Sequence, residues 1–173
     1  MSVMNGFKTD LTKKILGLNP HIVIQPNSFV INDSYISKLK NKFQDISINK
    51  SFSGEGIVIS DDNAKGVILK GINKDDKKTF EFLNNNIASG DVKTFSKNHV
   101  FIGTELAYNL NLKLGDNITI MSSAFVATPL GSLPKQESYK ISGTFTTGFL
   151  EFDQNIIFLE IEDALSIFDK EKK

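Results

Sequence analysis

The side chains that could carry acid-base or nucleophilic chemistry are few. His21 and His99 are the only imidazoles among 173 residues, and there is no cysteine. A nucleophile needs a base within hydrogen-bond reach, yet both histidines lie in strand-like runs and no Gly-x-Ser-x-Gly elbow accompanies either. They read as structural or surface residues. Two isolated histidines make no His-x-x-x-His pair. The acidic pairs Asp61-Asp62 and Asp75-Asp76 lack the alternating oxygen ligands and central glycine of a calcium loop, so they read as solvated turns. Gly54-Glu55-Gly56 has the spacing of a phosphate cradle, but Ile57-Val58-Ile59 follows it, and a dinucleotide fingerprint must open a helix. No Gly-x-x-x-x-Gly-Lys-Ser/Thr motif is present, so an ATP-driven role would need an ATPase on another chain. Neither a cofactor nor a metal is expected. The sequons Asn32-Asp33-Ser34, Asn49-Lys50-Ser51 and Asn117-Ile118-Thr119 are common by chance in an Asn-rich chain and carry no weight.

Composition narrows the classes further. Twenty basic and twenty acidic residues balance to a formal charge of zero, so no overall field draws the chain to polyanions or anionic lipid. All of the positive charge is lysine. Arginine supplies the planar fork that phosphate and guanine recognition favours, and its absence argues against a nucleic-acid partner. With 40% hydrophobic and 23% charged residues, the chain suits one domain or two small lobes with a real core. Its apolar runs fall short of the ~20 residues a membrane span requires, and the first six residues have no signal-peptide pattern. That fits a cytosolic protein, and equally a loop domain cut from a membrane protein.

One stretch is hard to explain as simple packing. Residues 124 to 134, Ala-Phe-Val-Ala-Thr-Pro-Leu-Gly-Ser-Leu-Pro, run without a charge, yet two prolines and a glycine make a poor core element. Two readings stand: a loop folded back on its own lobe, or an exposed apolar hairpin that inserts into a partner.

The elements that must position these residues follow from periodicity. Met4, Phe7, Leu11 and Ile15 make the apolar stripe of a helix over residues 1 to 18, which either packs in a core or continues a membrane span. His21 to Gln25 alternates like a strand. Ile36, Leu39, Phe43 and Ile46 form one helix face after N-cap candidates at residues 32 to 34. Gly56 to Ser60 and Gly66 to Ile72 read as a hairpin across residues 61 to 65. A short helix through Phe80, Leu83 and Ile87 closes at Gly90, His99 to Ile102 leads into a two-turn helix from Thr104 to Leu110, and Leu114-Gly115-Asp116 turns the chain. Asn117 to Met121 and Ser138 to Phe145 are strand-like, with Ser122 to Glu137 between them as a protruding loop or long hairpin. Asn155 to Leu159 is a strand and Ile161 to Phe168 a helix. The class is α+β, with β-α elements at both ends of a β-rich middle.

Several stretches taken together resemble the LolC/LolE-type permeases of lipoprotein-releasing ABC transporters. Ser2-Val3-Met4-Asn5-Gly6-Phe7 with Ile15-Leu16-Gly17-Leu18-Asn19-Pro20-His21 is similar to the end of that family's first transmembrane helix and its entry to the periplasmic domain. Residues 66 to 72 (GVILKGI), Ile102-Gly103-Thr104-Glu105-Leu106-Ala107, Leu112-Lys113-Leu114-Gly115-Asp116, Thr128-Pro129-Leu130-Gly131-Ser132-Leu133-Pro134, and Gly143-Thr144-Phe145 with Gly148-Phe149-Leu150-Glu151-Phe152-Asp153 continue the match in family order. No single piece is diagnostic. The ordered set is specific.

The resemblance implies a two-lobed periplasmic domain of the exporter-permease type. Residues 1–18 would be the end of transmembrane helix 1 and its periplasmic extension, 19–75 with 146–173 an α/β porter-like lobe, and 76–145 a β-rich lobe carrying a hook hairpin at 124–137. It implies a permease that docks a soluble periplasmic lipoprotein carrier and passes lipoproteins to it for outer-membrane sorting. The other partners implied are the lipoprotein substrate, a second permease copy or paralogue, and a cytoplasmic ATPase subunit reached through the membrane part. The location implied is the inner membrane, with this domain in the periplasm and no catalysis of its own. The hook maps to Ala127, Thr128, Pro129, Leu130, Gly131, Ser132, Leu133 and Pro134, with Lys135 and Gln136 as its polar flank and Met4 and Phe7 near membrane or lipoprotein. Family members often carry arginine around the hook, where this chain has Ser132 and Lys135-Gln136. The alternatives are the periplasmic domain of a related exporter or cell-division permease, transmitting motion to another partner, and a small hydrolase.

Overall fold

A computed structural model describes residues 20–25, 31, 33–43, 46–60, 63–74, 76–129 and 131–170. The helix expected over residues 1 to 18 lies outside them. The chain divides into two units, Met1–Lys50 and Ser51–Lys173.

In the first unit, helix α1 spans Asp33–Lys42 and ends with Lys40 and Lys42 in its last turn, where cations offset the negative end of the helix dipole. The expected apolar face is only partly realised: Ile36 and Leu39 are half-buried, whereas Phe43 and Ile46 fall beyond the helix and are exposed. Residues 21 to 25 are not a strand. Alternation alone makes no strand without an edge to pair with, and Ile22 and Val23 are exposed here.

The second unit is built around one sheet. Its elements are β1 (Ser51–Ser60), β2 (Asn63–Ile72), α2 (Lys77–Asn86), β3 (Ile87–Gly90), a 3-10 turn (Val92–Thr94), β4 (His99–Gly103), α3 (Thr104–Asn109), β5 (Asn117–Thr128), β6 (Gly131–Phe145), α4 (Leu150–Asn155), β7 (Ile156–Glu160) and α5 (Ile161–Ile167). The strands run in the order β3-β6-β4-β7-β2-β1-β5, and β5 also pairs with β6. Six strands therefore close on themselves as a barrel, β1-β2-β7-β4-β6-β5, with β3 added to the edge of β6. The β2–β7 and β4–β6 pairs are parallel and the rest antiparallel. The α+β class holds, and the C-terminal β7-α5 unit joins the first half of the chain through β2.

Alternation decides what fills the barrel. Val58, Val67, Leu69, Val100, Ile102, Ile118, Ile120, Tyr139, Ile141, Ile157 and Leu159 form one buried cluster with residues of α3 and α5, as period-two patterning requires of inward positions. Helix α3 follows β4 and α5 follows β7. Those strands are antiparallel neighbours, so the two helices cover opposite ends of the barrel. The intervening Phe101 and Phe158 point to the outer face, where the Phe95 and Phe101 rings stand 5.8 Å apart and those of Phe145 and Phe158 5.2 Å apart. The buried Leu83 of α2 and Phe95 show that this outer layer is also dry.

The resemblance motifs acquire structural reasons. Gly103 ends β4 where α4 crosses it: an added Cβ would penetrate the backbone of Asp153. The Asp153 carboxylate in turn accepts from Thr147 N and Oγ1, both at 2.8 Å, and from Gly148 N at 3.2 Å, which fixes the loop into α4. Gly115 takes φ +93° at the expected turn, a left-handed conformation that costs glycine little. Gly103→Ala must displace main chain, so it should destabilise the unit by about 1–3 kcal/mol or more. Gly66→Ala, whose Cβ would point into open space, should be near neutral; urea unfolding of both variants checks the contrast.

Candidate functional site

The charge-free stretch is a hairpin. Strand β1 pairs with β5 only as far as Ser122, and β4 pairs with β6 only from Lys140 onward. Among the described residues, 123–128 and 131–135 therefore have no strand beside them but each other, as a two-stranded ribbon running off the barrel. Its register is Phe125↔Pro134, Val126↔Leu133, Ala127↔Ser132 and Thr128↔Gly131. At the tip Thr128 Oγ1 donates to Gly131 O at 2.7 Å, and Gly131 has φ +119°.

The expected hook residues sit at this tip. Pro129, Ala127, Gly131 and Ser132 are exposed, Thr128 and Pro134 half-buried, and Leu133 is 51% exposed. Leu130 lies outside the described residues, as do Met4 and Phe7. The ribbon adds two residues that the hook mapping leaves out: Phe125, 65% exposed, and Val126, 46% exposed. Val126 faces Leu133 across the strands, and Phe125 lies opposite Pro134 on the other face, so both faces are apolar. The patterning signal was present in residues 124 to 134. What it lacked was the ribbon register, which assigns each residue a face.

Where the ribbon leaves the barrel, the ladder is irregular. Met121 pairs with Gln136, and the next pair is Phe125 with Pro134, so Ser122, Ser123 and Ala124 stand against Lys135 alone. Bulges of this kind bend and twist a strand. The bulge residues turn to the C-terminal end of α5, whose last carbonyls have no partner in the helix. Ser122 Oγ donates to Ile167 O at 2.5 Å, and Lys135 Nζ donates to Ser166 O at 2.7 Å. Ser166 Oγ donates to Glu137 Oε1 at 3.2 Å, Lys135 Nζ lies 3.3 Å from that same carboxylate oxygen, and Tyr139 OH donates to Glu137 Oε2 at 2.8 Å. Burial, then the bond to Glu137, pushes the Tyr139 phenol far above its ordinary range. Lys135 is thus drawn into the base of the ribbon, while Gln136 stays exposed beside Met121, its Nε2 3.7 Å from the Met121 sulfur. Ser122, Glu137 and Ser166 were not legible beforehand: Ser122 and Ile167 are 45 residues apart, and no local pattern marks either.

The other candidates are structural. His99 Nδ1 lies 2.9 Å from both Ser96 Oγ and Lys97 O, closing a local turn before β4. His21 is exposed in the first unit. Gly54 sits inside β1 against the Phe168 ring, which a Cβ would overlap, so this Gly-x-Gly serves packing. Asp76 caps α2 by accepting from Thr79 N at 3.3 Å and Thr79 Oγ1 at 2.6 Å; Asp61, Asp62 and Asp75 lie outside the described residues. Among the described residues no three His, Cys, Asp or Glu side chains converge as metal ligands, and no helix is long and apolar enough to cross a membrane.

Comparison with known proteins gives a consistent picture. No family model matches the chain. It is 19% identical over 170 residues to the lipoprotein-releasing system transmembrane protein LolC of Xylella fastidiosa, covering 96% of this chain and 41% of that protein. It is 26% identical over 184 residues to LolC of Buchnera aphidicola, covering 99% and 43%, and 27% identical over 130 residues to LolE of Haemophilus influenzae, covering 71% and 31%. The chain is similar to LolC over nearly its whole length. It spans about two fifths of the length of the LolC proteins it matches. A solved structure with a similar fold is the extracellular domain of the noncanonical ABC-type transporter YknZ from Gram-positive bacteria, with a TM-score of 0.55 and 15% identity over 84% of this chain and 69% of that one. The LolC and LolE relatives are transmembrane proteins of a lipoprotein-releasing system, and the YknZ likeness is one of fold.

One buried carboxyl on α5 gives a test of the polar framework. Asp163, 3% exposed, accepts from Asn98 N at 2.7 Å, and Asn98 has φ +61°. Burial raises the Asp163 pKa against the lowering effect of that N–H. A carboxyl whose folded value exceeds its unfolded one favours folding while it stays protonated. That contribution is complete below the ordinary carboxylate range of about 3.9 and is lost as pH rises through the raised value. Asp163→Asn keeps an accepting oxygen and removes the charge. Relative to the parent, the variant should therefore gain stability as pH rises from about 4 toward 7, read as the difference between urea midpoints across that range.

Proposed function

We propose that this chain is the periplasmic domain of an inner-membrane lipoprotein-releasing ABC transporter permease, which docks a soluble lipoprotein carrier and passes lipoproteins to it for outer-membrane sorting. The observation that carries this reading is the ribbon: a charge-free β-hairpin standing clear of the barrel with Phe125, Val126 and Leu133 open to solvent. A ribbon without a core of its own invites a partner to cover both faces. The relation to LolC and LolE supplies the class of partner.

In this reading Ala127 to Pro134 form the docking tip, extended by Phe125 and Val126, and Gln136 lies on its polar flank. Met4 and Phe7 continue the first membrane span and approach membrane or lipoprotein. ATP hydrolysis belongs to a cytoplasmic subunit reached through the membrane part, a second permease copy or paralogue completes the channel, and this domain has no catalytic activity. The fold likeness to YknZ favours one runner-up, a related exporter domain that transmits motion to another partner.

Apolar anchors at the centre of an interface typically cost more than ~2 kcal/mol when removed, about a 30-fold loss of affinity. Leu133→Asp should weaken binding of the source organism's soluble lipoprotein carrier by at least that factor, with little change in melting temperature, because an exposed tip contributes little to folding. Unaltered affinity with a lowered melting temperature would mean that the leucine packs on its own domain. In the full-length permease, a photo-crosslinker at Met4 should capture lipoprotein; capture of none would remove the membrane-proximal assignment.

A further inference from the structure

We infer that Lys135 and Ser122 are positioning residues for the ribbon, setting its direction from the C-terminal end of α5 instead of touching the partner. This deepens the docking reading and rests on it for its functional consequence; the geometry stands apart from it.

Three facts converge. First, a two-stranded ribbon in water has little rigidity of its own, and beyond Ser122 and Gln136 no third strand among the described residues holds this one. Second, the ladder breaks where the ribbon departs, with three residues facing Lys135 alone, so the departure angle is not fixed by backbone pairing. Third, each side of that break is tied to the same short piece of main chain. From β5, Ser122 Oγ reaches Ile167 O, and Ala124 N donates to the same hydroxyl at 3.2 Å, so one serine links the bulge backbone to the helix end. From β6, the Lys135 ammonium reaches Ser166 O, where the helix dipole presents its negative end, and Ser166 Oγ closes the link through Glu137.

Helix α5 is a firm base for such a tether. Ala164 and Ile167 are fully buried in the barrel cluster, and beyond them Asp169, at φ +52°, turns the chain so that Lys170 N donates to Leu165 O at 2.8 Å. The carbonyls of Ser166 and Ile167 thus hold fixed positions on the barrel, and two side chains on opposite strands grip them. Together they restrain bending at the bulge as two stays restrain a mast. The gain for docking is entropic, because an aimed ribbon loses less freedom when a partner immobilises it.

The chain has no cysteine, so paired spin labels at Ser132→Cys on the tip and Lys93→Cys on the barrel report the ribbon's direction in the otherwise unaltered full chain. The parent should give a narrow distance distribution. Lys135→Met should widen it, Lys135→Arg should restore it, and Ser122→Ala should widen it independently, with circular dichroism confirming that the barrel remains folded in each. Carrier affinity of Lys135→Met, with the apolar tip intact, should fall, whereas Lys135→Arg should bind as the parent does. A distribution that stays narrow in Lys135→Met, or stays broad in Lys135→Arg, overturns the inference whatever the carrier does. A parent domain that binds no carrier but shows these width changes removes the docking reading and leaves the positioning role standing.

Discussion

Strand β6 has more edge than any one partner can cover. It runs for 15 residues, with β4 along one edge over Lys140 to Phe145 and β5 then β3 along the other. Every unpaired backbone group in a dry interior is costly, so the half of β6 inside the barrel must find strands on both sides. Satisfying that demand closes the ring. The half beyond the barrel meets only water, and there a single partner suffices. Barrel and ribbon are thus two answers to one pairing requirement, divided where burial ends.

The same accounting governs the polar groups at the ribbon base. The end of α5 leaves carbonyls that the helix cannot satisfy, and the bulge leaves side chains without a ladder role. Ser122 Oγ meets Ile167 O, and Lys135 Nζ joins Asp169 N, 2.9 Å away, in donating to Ser166 O. Glu137, 27% exposed and bonded by Lys135, Ser166 and Tyr139, lets the buried phenol of Tyr139 point its hydroxyl out of an otherwise aliphatic barrel lining. Glu160 does similar work at the C-terminal end of β7, where Lys74 lies 2.6 Å away. Being largely solvated, the lysine contributes mostly geometry there.

Much of this fold could be read from the residues. Gly66 to Ile72 declared itself as a strand partly by alternation, and Asn155 to Leu159 as a short unbroken apolar run of the kind a strand buried on both faces shows. Gly115 marked its turn because few other residues tolerate that backbone. The His21 to Gln25 alternation looked just as strand-like and is not one, since a strand exists only with a neighbouring edge, and edges are not written locally. Barrel closure was hidden for that reason: the pairings β2 with β7 and β4 with β6 join segments far apart in sequence. At the site, the apolar tip was visible as a run without charge. Lys135 looked like part of the docking flank because nothing beside it in sequence reveals a helix end about thirty residues later.

The ribbon's independence has an evolutionary consequence. Residues 123–128 and 131–135 have only one another as strand neighbours, so matched insertions, one residue on each strand, would lengthen the ribbon by about 3.4 Å per pair without shifting any strand of the barrel. Single insertions would turn one strand's faces over relative to the other and be selected against. Reach is therefore a trait that can drift in discrete steps while the body stays unchanged, and lineages facing partners of different size can diverge in the length of this one appendage.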